Sequence, residues 1–390
     1  MAIEGRADDK AGGRVRLGMV GGGEGAFIGA VHRLSARMDD NYVFLAGALS
    51  STAEKARRSG QALGLDPARI YDDFATMAQK ERRRKDGIEA VAIVTPNHMH
   101  APAAEAFIKA GIHVICDKPL TTTLKDALRL KKLAEAKGVI FAVTHNYTGH
   151  PLVRHAREMV KAGELGKIQL VQVEYPQDWL TNKIEDEGQK QAGWRTDPAQ
   201  SGAGGSIGDI GTHAHNLAQF VSGLEISELL ADLTSFVPGR RLDDNVQIMM
   251  RYTNGARGAL WASQVAPGNE NGLMLRVYGT KAGLSWRQDS PNVLYYSPYG
   301  EPTRMLTRGS GAVGPAAARV TRVPPGHPEG YLEAFATIYT EVAHAIRAHR
   351  EGKKPPPEVN FPGLDEGIAG MAFIEAALKS SKKGAVWVKM

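Results

Sequence analysis

The feature that most constrains the fold is a regular alternation of short apolar runs and amphipathic stretches of helical length between residues 15 and 144. The apolar runs are rich in Val, Ile and Leu and cover residues 15–20, 42–49, 88–94, 113–115 and 139–143. Helical stretches over 52–63, 101–110 and 124–137 lie between them. Short, continuously apolar runs are typical of strands buried on both faces of a parallel sheet. The alternation therefore predicts an α/β domain with a doubly wound parallel sheet.

The pattern changes after about residue 150. A helix over 152–162 and a strand over 168–175 are followed by a polar, Gly-rich stretch over 177–206 and a helix over 207–221. Strands joined by tight turns such as Asn254-Gly255 come next and predict a large, open, mainly antiparallel sheet. Two helices over 331–350 and 364–379 close the chain. We expect a tail over 1–14, a doubly wound domain over 15–150 and an α+β domain over 151–390.

Length and composition agree with two ordinary globular domains. A chain of 390 residues exceeds the size at which one hydrophobic core usually stops growing. The formal net charge of +6 attracts anions in general and identifies no partner. The densest basic run, over residues 80–85, contains no aromatic side chain on which a base could stack. We interpret this run as a solvated helix end and expect no nucleic-acid partner.

Nothing in the sequence predicts an oxidising compartment or a membrane. Cys116 is the only cysteine, so an intrachain disulfide cannot form. No window approaches the roughly 18 apolar residues that cross a bilayer. The first 14 residues are polar and Gly-rich and lack the apolar core of a signal peptide. We therefore expect a loose N-terminal tail and a cytoplasmic protein.

A glycine-rich loop follows the first predicted strand. It reads Gly21-Gly22-Gly23-Glu24-Gly25-Ala26-Phe27-Ile28-Gly29. Glycines in this position let the backbone turn tightly and approach a pyrophosphate at a helix N-terminus. Gly21, Gly23 and Ala26 match the dinucleotide fingerprint in its Ala-ended form, although Gly29 could instead be the third glycine after a three-residue insertion. The position after a strand favours nucleotide binding over a flexible turn, with Glu24, Phe27 and Ile28 beside the cofactor.

The end of the second predicted strand bears on the choice of cofactor. An acidic residue there normally binds the ribose hydroxyls of NAD, but this chain has Leu49-Ser50-Ser51-Thr52. Without a carboxylate, a 2′-phosphate is not repelled, and Lys55, Arg57 or Arg58 could pair with it. These bases are more simply explained as solvent-facing residues of the following helix. The sequence is compatible with NAD or NADP, bound in part by Ser50 and Ser51.

Two further strand ends carry polar residues. The segment Thr95-Pro96-Asn97-His98-Met99-His100 ends one predicted strand, and Asp117-Lys118-Pro119 ends the next. Ligands of such sheets bind outside the carboxyl ends of the strands. The ammonium group of a lysine at that place can donate to a substrate hydroxyl. The alternative for Lys118 is a surface lysine in an ordinary turn.

Together these segments resemble the Gfo/Idh/MocA family of sugar and cyclitol dehydrogenases, from Val15 through to the C-terminal helices. The resemblance is carried by the glycine loop, Thr95-Pro96-Asn97-His98, Asp117-Lys118-Pro119 and Gly208-Asp209-Ile210-Gly211-Thr212-His213. It implies an N-terminal Rossmann domain and a C-terminal domain that carries the substrate site and often the subunit interface. Asp117 departs from the family, which most often has Glu before the Lys-Pro pair.

The resemblance implies a catalytic set of Lys118, Asp209 and His213. Asp209 and His213 are four residues apart and would share one helix face, so the carboxylate could orient the imidazole. Carried over from the family, His213 is the general base that takes the hydroxyl proton. Lys118 holds the same oxygen and stabilises its developing charge. Without the resemblance, a packed structural histidine would be the better explanation of His213.

The same resemblance assigns other residues to the two halves of the site. The cofactor set further includes Thr95, Pro96, Asn97, His100, Asp117, Lys118 and Asn146. The substrate set further includes Tyr147, Trp194 and Arg195, and Arg195 could equally form an ordinary salt bridge. Tyr175, at the end of a predicted strand, could line the same cleft, although strand alternation alone would expose half of such residues. A metal site built from Asp209, His213 and His215 is disfavoured, because residues two apart on a helix point in different directions. We expect no metal.

We therefore expect an NAD- or NADP-dependent oxidoreductase that reversibly oxidises a secondary hydroxyl of an inositol, a pyranose or a glycoside to the ketone or lactone. A redox-assisted glycosidase, which oxidises its sugar only transiently, needs the same residues and is the first alternative. A non-catalytic sugar sensor is the second, although a sensor has no need of Lys118 and His213. We expect a homodimer or homotetramer assembled through the C-terminal sheet. The sequence specifies neither the substrate nor the reacting carbon.

Overall fold

The computed structural model describes residues 13–390, which form two compact units. The first unit contains the described residues up to Asn146 together with Tyr331–Ile368, and the second contains Tyr147–Gly330 together with Ala369–Met390. The tail predicted over 1–14 lies outside the described residues apart from its last two positions. In the part of the chain from residue 13 onward, no helix is long and apolar enough to cross a membrane.

The first unit has the predicted α/β fold on a parallel sheet. Its strands are β1 Val15–Gly21, β2 Tyr42–Ala48, β3 Ala90–Val94, β4 His113–Cys116 and β5 Phe141–Val143. The helices between and around them are α1 Phe27–Met38, α2 Ala53–Ala62, α3 Phe74–Arg83, α4 His100–Lys109 and α5 Leu124–Lys137. The strands lie in the order β2-β1-β3-β4-β5, and all neighbours are parallel. The strand order reverses at β1 and β3, and sheets of this kind bind ligands outside the carboxyl ends of such strands.

The second unit is dominated by a nine-stranded sheet. Its helices are α6 Pro151–Lys161, α7 Lys190–Arg195, α8 Pro198–Ser201, α9 Thr212–Ser222 and α10 Pro315–Ala318. Its strands are β6 Ile168–Pro176, β7 Ile226–Thr234, β8 Asn245–Tyr252, β9 Arg257–Ser263, β10 Met274–Gly279, β11 Ala282–Arg287, β12 Val293–Pro298, β13 Arg304–Thr307 and β14 Val388–Lys389. They lie in the order β13-β12-β11-β10-β6-β9-β8-β7-β14. Only β6 and β9 pair in parallel among these neighbours, so the mainly antiparallel sheet is confirmed.

Two long helices follow, α11 Tyr331–Arg350 and α12 Leu364–Lys382. Helix α11 belongs to the first unit, where Ile338 and Val342 join a core that contains Leu17. The chain first changes unit after Asn146 and returns to the first unit at α11. An amphipathic pattern shows that a helix must cover an apolar surface and does not show which surface it covers.

Predicted and observed elements agree best where a local pattern is strong. Helices α5 and α11 have the predicted bounds residue for residue. No pattern predicts α1, because its buried face consists of Gly29, Val31, His32, Ser35 and Ala36 and so lacks apolar periodicity. The polar stretch 177–206, for which no element is predicted, contains α7 and α8. The helix predicted over 207–221 begins with a π-helical turn, Ile207–Gly211, before α9.

Candidate active site

The glycine loop after β1 packs closely against the helix that follows it. Gly21 and Gly22 adopt φ values of 77° and 70°, which residues with a Cβ rarely adopt. A Cβ on Gly29 would lie 2.2 Å from the carbonyl oxygen of Gly22, so α1 touches the backbone of the loop. Gly29 therefore makes the close helix-packing contact that is expected of the third fingerprint glycine. Ala26, the other candidate for that role, directly precedes α1.

Polar atoms near the carboxyl ends of β3 and β5 fit a bound dinucleotide. Among the described residues, Thr95 Oγ1 and Asn146 Nδ2 are buried side-chain atoms without a hydrogen-bond partner. Buried polar atoms are normally hydrogen-bonded, so a ligand that supplies partners is the simplest explanation. In the loop after β1, a Cβ on Gly25 would meet nothing within 4 Å, which leaves open space beside the N-terminus of α1. The first unit can therefore hold a pyrophosphate at this helix and a polar ring system at these strand ends.

A small charged cluster lies where the loop meets the end of β2. The N–H of Gly23 donates to the carbonyl oxygen of Leu49 at 3.2 Å, which holds the loop there. Arg58 on α2 donates to Glu54 at 2.7 Å and to Glu24 of the loop at 3.3 Å. The predicted Ser50 and Ser51 lie in the turn between β2 and α2. Arg58, one of the bases considered for a 2′-phosphate, is thus already paired with two carboxylates.

Asp117 is held at the end of β4 by residues of the first unit. Its Oδ1 accepts a hydrogen bond from Thr144 Oγ1 at 2.6 Å and lies 3.7 Å from His32 Nε2. Burial alone would raise the pKa of Asp117, but the interactions with His32 and Thr144 lower it well below its usual range. His32 is fully buried, and its Nδ1 lies 2.8 Å from Tyr339 Oη. The carboxylate that precedes Lys118 is therefore ionised and fixed.

His100 joins the two predicted strand-end segments. Its Nδ1 lies 2.8 Å from the carbonyl oxygen of Pro119, and its Nε2 lies 3.0 Å from that of Thr95. The imidazole is buried, which lowers the pKa of His100. Pro96 and Asn97 form the turn that leads into α4. The structure thus brings these segments together, and His100 has a structural role in addition to the predicted place beside the cofactor.

Asp209 lies in the π-helical turn that precedes α9. Its Oδ2 accepts hydrogen bonds from Gln264 Nε2 at 2.8 Å and from Arg195 Nε at 3.2 Å. Asp209 lies in the π-helical turn and His213 lies in the α-helix. The two residues therefore do not have the regular α-helical geometry on which the predicted shared face is based. π-Helical turns of this kind are frequent at functional sites. The carboxylate is held from two elements at once.

His213 lies in the first turn of α9 with 7% of its surface exposed. Its ring centroid lies 4.9 Å from that of Tyr147 and 6.3 Å from that of Tyr175. The two phenol oxygens lie 2.5 Å apart, and burial raises the pKa of Tyr147. Tyr147 therefore remains protonated, and the two tyrosine rings restrict the orientation of the imidazole.

Trp194 and Arg195 form a stacked pair on α7. The guanidinium carbon of Arg195 lies 4.3 Å from the ring centroid of Trp194, a cation–π arrangement. The same guanidinium pairs with Asp209 at 3.2 Å. The salt bridge considered as the alternative for Arg195 therefore exists, and its partner is a predicted site residue.

His215 has the contacts of a core residue. Its ring stacks on Phe373 with centroids 4.4 Å apart, and burial lowers the pKa of His215 to about 4. Over residues 13–390, no group of three or more His, Cys, Asp or Glu side chains is arranged to hold a metal ion.

Three residues of these clusters are not predicted from the sequence. Thr144 directly follows β5, so the strand-end rule that identifies Thr95 could have found it. His32 and Gln264 have no local signal, because their partners Tyr339 and Asp209 lie 307 and 55 residues away in the sequence.

The two clusters offer complementary chemistry. The first unit carries a lysine directly after a fixed carboxylate, and a lysine can donate to and stabilise an oxygen that becomes negative. The second unit carries an imidazole four residues after another fixed carboxylate, and an imidazole is suited to take a proton near neutral pH.

Sequence family models match both parts of the chain. The model of the oxidoreductase family with an NAD-binding Rossmann fold matches residues 15–145. The model of the GFO/IDH/MocA C-terminal domain matches residues 153–285. The two matches together cover more than half of the chain.

Solved structures and a further relative match nearly the whole length. An oxidoreductase from Sinorhizobium meliloti is 58% identical with a TM-score of 0.88, over 96% of this chain and 99% of its own. An inositol dehydrogenase homologue from Azotobacter vinelandii, in complex with NADH and myo-inositol, is 35% identical with a TM-score of 0.91, over 98% and 99%. Levoglucosan dehydrogenase from Pseudarthrobacter phenanthrenivorans is 26% identical over 94% of this chain and 97% of its own.

Proposed function

Because the chain belongs to the Gfo/Idh/MocA family of oxidoreductases, we propose that it oxidises a secondary hydroxyl of a cyclic polyol or pyranose with NAD. The family contains NAD- and NADP-dependent dehydrogenases of sugars and polyols. The observation that carries the proposal is Asp209, a carboxylate four residues before His213 that is held by hydrogen bonds from two distant parts of the chain. Lys118, which follows the end of β4, supplies the second group that the reaction needs.

His213 is assigned the role of general base. Its imidazole is oriented by Tyr147 and Tyr175, and a base held in one orientation reacts without a prior conformational cost. The imidazole becomes an imidazolium when it takes the hydroxyl proton. In the reverse direction, the same imidazolium returns the proton to the oxygen of the ketone.

Lys118 is assigned to the oxygen of the same hydroxyl. Its ammonium donates to that oxygen and stabilises the negative charge that develops as the proton leaves. Asp117, ionised in the folded protein, directly precedes Lys118 in the chain. Bound NAD supplies the acceptor for the hydride that leaves the carbon.

We assign ring polyols and pyranoses as the substrate class. Arg195, Asp209 and Gln264 place charged and amide groups together, and such groups bind vicinal hydroxyls by donating and accepting at once. Trp194 adds an aromatic face. The relatives that bind myo-inositol or are named for levoglucosan, both cyclic polyhydroxy compounds, support this class.

We assign NAD rather than NADP as the preferred cofactor. Arg58 could attract a 2′-phosphate only by leaving Glu24 and Glu54, with which it is paired. Glu24 also adds a carboxylate on the glycine loop beside the end of β2, which would repel a phosphate placed there. The complex of the Azotobacter vinelandii relative with NADH supports the same choice.

We propose self-association through the open face of the nine-stranded sheet. Five large apolar side chains are exposed along this sheet, Leu170, Met249, Tyr278, Tyr295 and Met305. Leu170 pairs with Tyr278 in register, and the neighbouring Glu174 and Arg276 form an ion pair at 3.4 Å. A face with apolar groups and internally compensated charge suits contact with a second copy. Sedimentation of Tyr278→Glu as a smaller species than the wild type would support this assignment, and an unchanged mass would remove it.

The proposed activity is tested by a spectrophotometric screen of inositols, aldoses and glycosides with NAD and NADP in parallel, followed by His213→Ala on the best substrate. Loss of the general base should lower kcat by about a hundredfold or more. The exposed His327 of the same unit provides a matched control, since His327→Ala should keep wild-type turnover. Unchanged turnover in His213→Ala would remove the assignment of the base.

The amount of reduced cofactor that accumulates distinguishes a dehydrogenase from the two alternative functions. Accumulation of reduced cofactor with free polyols supports a dehydrogenase. Cleavage of a glycoside without net reduction of NAD would instead indicate a redox-assisted glycosidase. Binding of nucleotide without turnover of any polyol would indicate a sensor.

A further inference from the structure

One loop of the second unit holds the start of the helical segment 207–222. The loop joins β7 to β8 and contains Asp243. The carboxylate of Asp243 accepts the N–H of Gly205 at 2.7 Å and that of Ile207 at 2.8 Å. The backbone carbonyl oxygen of Asp243 accepts the N–H of Ser206 at 2.8 Å. The first N–H groups of a helix have no partner within it, and negative charge there is favoured by the helix dipole. One residue therefore satisfies three successive donors.

The contact between Asp243 and the start of this segment is tight and continues to Asp209. A Cβ on Gly205 would lie 2.1 Å from the carbonyl oxygen of Asp243, so no larger residue fits without displacing the loop. The carbonyl oxygen of Gly205 in turn accepts the N–H of Asp209 at 2.9 Å. Asp243 thus acts on the backbone of Asp209 through one intermediate residue.

The same loop reaches the side chain of Asp209 by a second route. The carbonyl oxygen of Asp244 accepts the N–H of Gln264 at 2.8 Å, and Gln264 Nε2 donates to Asp209 Oδ2 at 2.8 Å. Asp244 is itself anchored, because its carboxylate accepts the N–H of Phe236 at 2.9 Å and pairs with Arg240 at 3.1 Å. The loop therefore supports both the backbone and the carboxylate of Asp209 from a rigid base.

We propose that Asp243 is a positioning residue for the reaction, which holds Asp209 and His213 in their working orientation through the start of the helix. The inference rests on the proposed function, since it assigns a purpose to the orientation of those two side chains. Asp243 touches neither of them through its own side chain in the hydrogen bonds described above, so its effect is transmitted by Gly205 and Ile207.

The ionisation of Asp243 offers a readout of this role. Burial raises the pKa of Asp243 to about 6, with a further contribution from the Asp244 carboxylate, against the opposing effect of the N–H groups of Ile207 and Gly205. Around this loop, Asp244 and Glu185 are paired with Arg240, Asp197 with Arg241, and Asp209 with Arg195. A protonated carboxyl carries a hydrogen on one oxygen and no net charge, so it is a weaker acceptor for the two N–H groups than the carboxylate. The hold on the helix should therefore weaken below about pH 6.

The pH dependence of kcat, measured in both directions of the reaction, distinguishes the effect of Asp243 from that of His213. Oxidation needs neutral His213, so acid lowers its rate whatever Asp243 does, whereas reduction of the ketone needs the imidazolium and gains from acid. Protonation of His213 alone would not lower the rate of ketone reduction in acid, so a fall in that rate reports on Asp243. We expect kcat for ketone reduction to fall below about pH 6 in the wild type. Ionisation of Asp243 does not stabilise the folded protein. A carboxyl whose pKa is raised by folding binds its proton more tightly in the folded state, so its contribution to the free energy of unfolding increases as the pH falls. A reduction rate that stays flat or rises between about pH 6 and about pH 5 would overturn the proposal.

The variant Asp243→Asn keeps the shape of the side chain and replaces one acceptor oxygen with an amide that faces an N–H donor. We expect kcat to fall by about tenfold or more in both directions, with KM for NAD unchanged and no further loss of reduction rate in acid. Asp73→Asn is the matched control, because Asp73 caps α3 in the first unit by accepting the N–H of Thr76 at 2.7 Å. It should leave turnover at the wild-type level.

Amide hydrogen exchange of the full-length protein tests the same contact without turnover. Asp243→Asn should speed exchange in the peptide over 205–213 by about tenfold or more, with the rest of the second unit unchanged. Wild-type exchange in this peptide would overturn the proposal even if kcat falls. Faster exchange in a protein that oxidises no polyol would instead uphold the contact and refute the proposed function, so the two failures are distinguishable.

Discussion

The neighbourhoods of Lys118 and His213 each contain a carboxylate, but the two carboxylates have different hydrogen-bond partners. In both, a carboxylate lies shortly before the reactive group in the sequence, Asp117 in one and Asp209 in the other. Asp117 accepts from the neutral hydroxyl of Thr144 and lies beside a buried histidine. Asp209 accepts from a guanidinium and a side-chain amide on two other elements. One carboxylate is held from the core of its unit, and the other is held within a polar cluster.

The difference indicates what each carboxylate does. The partners of Asp117 are residues of the first sheet and of the helix α1, so its hydrogen bonds stabilise a strand end. The partners of Asp209 include an arginine stacked on Trp194, so its hydrogen bonds set the charge distribution of the candidate substrate site. Substitutions of Asp117 and of its partners should therefore alter stability more than turnover, and substitutions of Asp209 and of its partners should do the reverse.

The largest effect on turnover should come from Lys118→Ala. Removal of a preorganised donor to a developing oxyanion typically lowers kcat by about 10²- to 10³-fold, and Lys118 is the only donor that the proposal assigns to that oxygen. Lys109→Ala, at the exposed end of α4, is the matched control and should have wild-type kcat. Steady-state kinetics with the best substrate measures both. A loss of less than about tenfold would show that the first neighbourhood only supports the fold.

A smaller effect should come from Gln264→Leu. The change removes one donor to Asp209 and leaves Arg195 in place, so kcat should fall by about tenfold. The melting temperature should change little, because the leucine has nearly the same volume as the glutamine. Gln61→Leu, at an exposed position of α2, controls for the loss of an amide. Normal kcat with a lowered melting temperature would show that the hydrogen bonds of Asp209, like those of Asp117, mainly stabilise the fold.

The parts of these neighbourhoods that the sequence predicts are those with a local cause. Thr95 and Asp117 follow apolar runs directly, and the carboxyl ends of parallel strands meet at one edge of a sheet. Helix α5 could be bounded because its capping residues Thr123 and Gly138 are adjacent to its apolar pattern. In such cases the residue types that specify an element also mark its end.

The residues that the sequence does not predict act across the fold. His32 lies on a helix whose buried face is too small and polar to show a period, and Gln264 meets Asp209 only because β9 ends beside the π-helical turn. Helix α11 has the predicted bounds, yet its place in the first unit depends on a core assembled from distant strands. Local pattern defines elements, whereas the contacts between elements are a tertiary property.

The smallest effect on turnover should come from Asp117→Asn, which we expect to keep kcat within about threefold while lowering stability. The pKa of Asp117 lies well below its usual range in the folded protein. An ionised carboxylate of this kind stabilises the folded state at pH values above the unfolded pKa of about 4, and the contribution is lost as the pH falls toward the folded pKa. The difference in melting temperature between wild type and Asp117→Asn should therefore be largest at neutral pH and shrink in acid. Calorimetry across this range measures it. A difference that does not depend on pH, together with a loss of turnover as large as that of Lys118→Ala, would mean that Asp117 acts on the reaction itself and that the two neighbourhoods work alike.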